Sequence, residues 1–375
     1  MDDPNFPPHL EINPSENNFG DSEIFGAKSQ ESAIQKYGIA GRVWEAAYTL
    51  TTYLESKEPW IEFDPPSPFS SIWQRLSLST SLSKRVDSNL NRVENGSPNS
   101  SEPDPCPDLD VGDTPKPLTV LELGSGTGII IAKLAEIIDQ NANDAPTDDI
   151  LIATDLDNVC PLLHENLSSP AKNSRRIDQQ SPRILVRPLE WGNPSHPLKI
   201  FNELGSRYLT HIICSDLVYF PHLLAPLLRS LIHLTSLPSS SPQPTIIVSY
   251  RIRSLPKETP FWAAFGLWFS YEPVLYRRRH QFPLPSHPEN GDYRTDRPPL
   301  NADSNKAPEA VWARYHTPSS TYVFVARRKS ISLGWSVPDD DKNLLEGVGA
   351  YNDQRQKGDD AFELMLLMSL VDNED

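Results

Sequence analysis

Cysteine is scarce in this chain. There are three in 375 residues, Cys106, Cys160 and Cys214, and no CxxC pair. That spacing supports neither a zinc site nor a disulfide framework. Cys160 and Cys214 fall in apolar helix and strand patterns and read as small core residues. Reduced thiols fit the cytosol or nucleus. No apolar run approaches the ~18 residues of a membrane helix. The opening Met-Asp-Asp-Pro-Asn lacks the apolar stretch of a signal peptide. Positive charge is also short, with 34 Lys and Arg against 50 Asp and Glu and a formal charge of −16. Such a balance argues against non-specific binding to nucleic acid. Neither nucleic acid nor a membrane is therefore expected as a partner. The hydrophobic fraction, 38%, lies below the ~45–50% typical of globular chains (a reference that also counts glycine). Together with 37 prolines, it points to an ordinary core diluted by disordered segments.

The diluting segments can be located. Residues 1–30 are rich in Pro, Asn, Glu and Ser and read as disordered. Order begins in 31–76, where Val43, Ala46, Ala47, Leu50 and Leu54 fall at helical spacing and predict a helix over Trp44–Leu54. Residues 77–117 form a Ser/Asn/Asp/Pro-rich insertion, with a weak helical pattern from Leu76 to Leu90. A second insertion spans 280–310. The region 331–375 reads as an acidic tail, whose apolar stretch 361–371 reads as a helix packed on its own domain or barely ordered, with a partner-binding helix as the alternative.

Between the insertions, 118–330 alternates strand and helix. Strands are predicted at Leu118–Leu123, Ile150–Thr154, Arg183–Leu189, His211–Ser215, Thr245–Tyr250, Pro273–Tyr276 and Thr321–Ala326. Helices are predicted at Ile129–Ile138, Val159–Leu167, His222–Leu234 and Phe261–Phe269. Alternation of this kind means right-handed βαβ units and a parallel sheet, here an α/β, Rossmann-like sheet with helices on both faces. No long helix separates the last two strands, so they should pair at the sheet's end, as in a seven-stranded class I methyltransferase sheet.

The first strand of this core runs into Gly124-Ser-Gly-Thr-Gly128 and then directly into a helix. Glycines let the backbone turn sharply and let a ligand come close. The helix N-terminus offers free N–H groups and partial positive charge. Dinucleotide enzymes use G-x-G-x-x-G for pyrophosphate. Here the spacing is G-x-G-x-G, preceded by Glu122. An acid here would repel a pyrophosphate and suits the cationic amino-acid end of S-adenosylmethionine. The second strand ends in Asp155, which can accept both ribose hydroxyls of a nucleoside. Asp157 is the better candidate for capping the next helix. The third strand ends Leu189-Glu-Trp-Gly192, where Trp191 is either an adenine-stacking ring or a core tryptophan. The fourth ends Cys214-Ser-Asp-Leu-Val-Tyr219, which aims Asp216 and Tyr219 at the crevice. Basic runs at Arg277–His280 and Arg327–Lys329 read as solvated faces or balance for acidic neighbours, with phosphate binding as the alternative, and Trp262, Phe265, Trp268 and Phe269 as core or cleft wall.

These residues, with Gly41-Arg-Val-Trp-Glu-Ala-Ala47 and Ser249-Tyr-Arg-Ile-Arg253, resemble the seven-β-strand protein-lysine methyltransferases of the methyltransferase-16 family. The resemblance spans roughly 35–75 and 116–330. It implies that Trp44 contacts the cofactor and that Gly124, Ser125 and Gly126 line its methionine part, with Gly128 closing the loop. Asp155 would hold the ribose, and Trp191 and Ser215 would border the adenine and nearby atoms. Asp216 and Tyr219 would face the substrate amine. It also implies a protein substrate, with elongation factors and chaperone-type ATPases as examples, and a monomeric enzyme without metal or covalent intermediate. A different methyl acceptor (protein histidine or arginine, or a small molecule) and a non-catalytic cofactor-binding scaffold stay open on the residues alone.

Overall fold

The computed structural model describes residues 5–8, 10–15, 24–58, 60–69, 117–141, 148–168, 181–236, 242–278, 312–317, 320–351 and 358–371. The two expected insertions, 77–117 and 280–310, lie outside the described residues apart from Pro117. So do Cys106 and the helical pattern from Leu76 to Leu90.

A mixed sheet forms the centre. Its parallel part comprises β2 (Thr119–Leu123), β3 (Ile150–Asp155), β4 (Arg183–Pro188), β5 (His211–Ser215) and β6 (Thr245–Arg251). Antiparallel strands β7 (Phe269–Pro273) and β11 (Thr321–Arg328) complete the order β4-β3-β2-β5-β6-β11-β7, and the two-residue β10 (His316–Thr317) adds to β11. Strand side chains alternate between faces. Leu121, Leu123, Ile212, Cys214, Ile246 and Val248 enter one core, while Val120, Ile213 and Ile247 enter the other. The first core is covered by α5 (Ser195–Leu204), α6 (Pro221–Leu234) and α7 (Leu255–Trp268). The second is covered by α2 (Glu45–Glu55), α3 (Ile129–Asn141) and α4 (Cys160–Ser168). Local signals set the helix ends. Pro221 opens α6, where its missing N–H costs nothing. Gly205, at φ 62°, closes α5. This is the seven-stranded class I arrangement expected above. Trp262, Phe265, Trp268 and Phe269 are fully buried, so they are core and not cleft wall.

The closing strand is not the expected one. β7 starts at Phe269, immediately after α7, and pairs with β11. Phe269 is buried, Ser270 exposed and Tyr271 part-buried, a period of two that ends the helix. Residues Leu275–Arg278 form β8, which leaves this sheet for a small one with β1 (Ile61–Asp64) and β9 (Ala313–Arg314).

Both terminal regions carry packed elements. The expected disorder of 1–30 fails at its end, because α1 (Ala27–Tyr37) begins inside it. Composition misses this because contacts distant in sequence do the ordering. Ile39 N–H donates to the Asn5 carbonyl at 2.9 Å, and Arg42 Nε to the Asn13 carbonyl at 2.8 Å. Phe25 enters the second core, and the buried Gln30 amide adds three bonds. Gln30 Oε1 accepts the N–H groups of Ser15 and Val43 at 3.1 Å each, and its Nε2 donates to the Phe25 carbonyl at 2.9 Å. The tail from 331 is likewise no free appendage. Buried Arg229 donates to the Pro338 and Asp339 carbonyls and pairs with Asp341 at 2.8 Å, next to the short helix α8 (Asp341–Leu345). The final helix, α9 (Ala361–Val371), inserts Phe362 flat against Trp262, with ring centroids 4.8 Å apart.

Candidate active site

The strand order reverses between β2 and β5, and crevices at such switch points hold ligands. The glycine loop lies at this edge. Gly124, Gly126 and Gly128 have φ of 58°, 53° and 82°, a region L side chains avoid. Space forbids side chains too. A Cβ on Gly124 would lie 2.8 Å from Leu217 and 3.0 Å from Trp191, and one on Gly126 3.0 Å from the Ala40 carbonyl. The loop is tied to β3. Ser125 N–H donates to the Thr154 carbonyl at 2.9 Å, and Ser125 Oγ accepts from Thr154 N–H at 3.1 Å. The Ser125 hydroxyl is therefore turned into the sheet. Its backbone is left to line a ligand, which is compatible with the place the resemblance gives Ser125 beside the methionine part.

Two carboxylates stand under this loop. Glu122 is buried, and its Oε2 has no hydrogen-bond partner. Burial pushes its carboxyl up to about 8, with the nearby Asp155 adding to the rise and the Ser125 contact opposing it. Asp155 accepts the N–H of Gly126 and of Leu156, both at 2.8 Å. Burial pushes it up to about 6 against those two hydrogen bonds. Among the described residues, no cation pairs with either acid.

Trp191 and Tyr219 sit beside Gly124, with their rings edge to face and centroids 6.4 Å apart. Burial, with Asp155 and Asp216 nearby, raises the Tyr219 phenol well above its ordinary value. Ser215 Oγ accepts from Ser249 Oγ at 3.2 Å, which joins the tips of β5 and β6. Asp216 follows at φ 62°, strain that an aspartate tolerates better than most residues. The resemblance implies that Asp216 faces a substrate amine, and within the chain its carboxylate is already paired. Arg253 grips it with both guanidinium nitrogens, one bond being 2.8 Å, because a carboxylate buried to this depth needs a partner. Trp44 completes this end. Its indole N–H donates to the Ile39 carbonyl at 3.0 Å, and its ring lies between Arg42 and Arg253, 4.3 and 5.6 Å from the centroid. Glu45 pairs with Arg42 and with Arg251, the latter at 2.9 Å.

All eleven expected site residues thus lie at one edge of the sheet. Arg253 and Glu45 were missed as site residues, although both belong to the segments that carried the resemblance. His222, in the first turn of α6, is exposed and stacked on Phe220 at 5.6 Å. The basic runs hold structure, since Arg277 pairs with Glu62 and buried Arg328 donates to the Ser332 carbonyl at 2.8 Å.

The model of the lysine methyltransferase family matches residues 28–264, more than half of the 375-residue chain. The chain belongs to the lysine methyltransferase family. Membership in this lysine methyltransferase family implies S-adenosylmethionine as cofactor. No curated protein matches the chain. Among solved structures, the CMeT domain of the citrinin polyketide synthase is 15% identical, with a TM-score of 0.26 over 38% of this chain and 31% of that one. The DszA carbon methyltransferase is 15% identical, with a TM-score of 0.25 over 39% and 32%. A SAM-dependent methyltransferase from Agrobacterium tumefaciens is 10% identical, with a TM-score of 0.25 over 58% and 57%. The chain therefore spans about a third of the length of the first two.

The residues present fit the family's cofactor. An orphaned, buried carboxylate oxygen at Glu122 calls for a cation, which the amino-acid end of S-adenosylmethionine carries. The loop at Gly124 and Gly126 has no room for side chains yet presents backbone to the crevice. Asp155 would hold the ribose, and Trp191 would border the base.

Proposed function

We propose that the chain is an S-adenosylmethionine-dependent protein-lysine N-methyltransferase. It would act in the cytoplasm, as a monomer, on a protein such as a translation elongation factor or a chaperone-type ATPase. One observation carries the reading. The orphaned carboxylate under the glycine loop and the acid–phenol pair Asp216 and Tyr219 share one crevice, so a cationic nucleoside and an amine can meet there. The family match supports lysine as the acceptor.

When bound, the cofactor supplies a methyl on sulfonium sulfur that is already electrophilic. The chain's part is to align the acceptor and dry the site, which is mainly proximity and orientation. A lysine amine has a free pKa of about 10.4 and must shed its proton before it attacks. Partial desolvation beside Trp44, Trp191 and Tyr219 lowers that value. The Tyr219 phenol stays protonated at neutral pH, so it can accept a hydrogen bond from the amine without adding charge.

Radiolabelled methyl transfer into a cell lysate, with mass spectrometry of the labelled band, tests this. Methylated lysine is the expected product. Label on histidine or arginine would overturn the acceptor assignment. Calorimetry that finds no S-adenosylmethionine binding at about 100 μM would overturn the enzyme reading as a whole.

A further inference from the structure

The acids at the acceptor end are not equally available. Glu45 on α2 is held by Arg42 and Arg251, and Glu258 on α7 is held by the Tyr250 hydroxyl and the N–H of Ser254 at 3.0 Å. Asp155, across the crevice on β3, is occupied by two backbone N–H groups. Asp216 sits next to Tyr219 on the same strand tip, its carboxylate held by Arg253. Its side chain is 1% exposed, while that of Arg253 is 30% exposed. Arg253 thus lies on the outer side of Asp216, its guanidinium also facing the Trp44 ring. An approaching amine meets a closed ion pair and not a lone carboxylate.

We propose that Arg253 is a positioning residue that neutralises Asp216, so that the acceptor amine is received as a free base. The inference rests on the lysine methyl-transfer reading. A lone buried carboxylate would stabilise an ammonium, raise its pKa and hold back the electron pair that must attack carbon. Paired with Arg253, the same carboxylate keeps its hydrogen-bonding edge in a fixed place and contributes little net charge. The planar guanidinium suits this task, because it grips both oxygens and stays protonated at every working pH.

The test is the pH dependence of methyl transfer to lysate protein by the full chain, between about pH 7 and about pH 10. For Arg253→Gln the alkaline rise in rate should move up by about one pH unit, so that the rate falls about tenfold near neutrality and recovers at the alkaline end. Arg253→Met, which keeps an apolar stem over Trp44, should behave alike, and Arg253→Lys should return the profile towards that of the wild type. A loss of equal size at every pH, or no loss, would overturn the proposal. A second readout does not need turnover. By calorimetry with n-butylammonium chloride, the Arg253→Gln protein should bind at least about tenfold more tightly than the wild type. Adding Asp216→Asn should remove that gain. Equal affinities would overturn the proposal, whereas absent turnover with this gain intact would count only against the methyl-transfer reading.

Discussion

The two ends of the crevice treat their carboxylates in opposite ways. At the glycine loop, Glu122 is buried and Asp155 part-buried, neither with a cation, and desolvation raises both, to about 8 and about 6. At the tips of β5 and β6, Asp216 and Glu45 each pair with an arginine. Burial resists ionisation of Glu45, yet Arg42 and Arg251 bring its carboxyl down to about 2. The contrast separates two uses of buried charge. An acid that the chain leaves unpaired is kept for a charge arriving from outside. An acid that the chain pairs itself serves as a fixed part.

The largest effect should come from the paired end. Asp216→Ala removes the partner of Arg253 and places alanine at φ 62°. Methyl transfer should fall by at least about a thousandfold while calorimetry finds cofactor affinity within about threefold of the wild type. Full activity would take Asp216 out of the acceptor end. Next comes Asp155→Ala, which orphans the N–H groups of Gly126 and Leu156. Cofactor affinity should weaken about a hundredfold, and unchanged affinity would break the assigned division of the crevice.

Glu122 gives a pH signature. With its carboxyl near 8 the free protein holds a proton there at neutrality, and a bound ammonium would expel it. Affinity for S-adenosylmethionine should rise with pH, by at most about tenfold per unit, and level off above about pH 8. Calorimetry in two buffers of different ionisation enthalpy should detect the released proton, and Glu122→Gln should flatten the curve.

The smallest effect concerns stability, and its sign differs between the ends. Glu122 is raised, so without ligand its contribution is complete at low pH and is lost as pH rises towards about 8. Glu45 is lowered, so its contribution is complete above the ordinary glutamate range and is lost as pH falls towards about 2. Denaturant melts should show Glu45→Gln costing about 1 kcal/mol at neutral pH and nothing at the acid limit.

The parallel sheet and the glycine loop were readable because their information is local. Short apolar runs, strand-tip acids and glycine spacing are written in contiguous residues. What was not readable depended on pairs far apart in sequence. Arg253 and Asp216 each stood in a noticed motif, but nothing in either motif gives the distance between them. The N-terminal segment is held by contacts such as those of the Gln30 amide with Ser15 and Val43 and of Arg42 with the Asn13 carbonyl. The folded tail hangs on Arg229 and on Phe362, residues whose partners lie about a hundred positions away. The shift from the expected closing strand to β7 turned on where a helical period gave way to a two-residue one, a change too short to stand out among so many aromatics.

β11 lies between β6 and β7 in the sheet, although the chain makes both of them first. During synthesis, β6 therefore waits with an open edge, and β7 has no place in the main sheet until β11 arrives to bridge them. Closing a flexible loop costs only about 0.6 kcal/mol more for each doubling of its length. Residues can thus be added between β8 and β9 at little expense to the finished fold. Their main toll is delay, during which a bare β-edge is open to other chains.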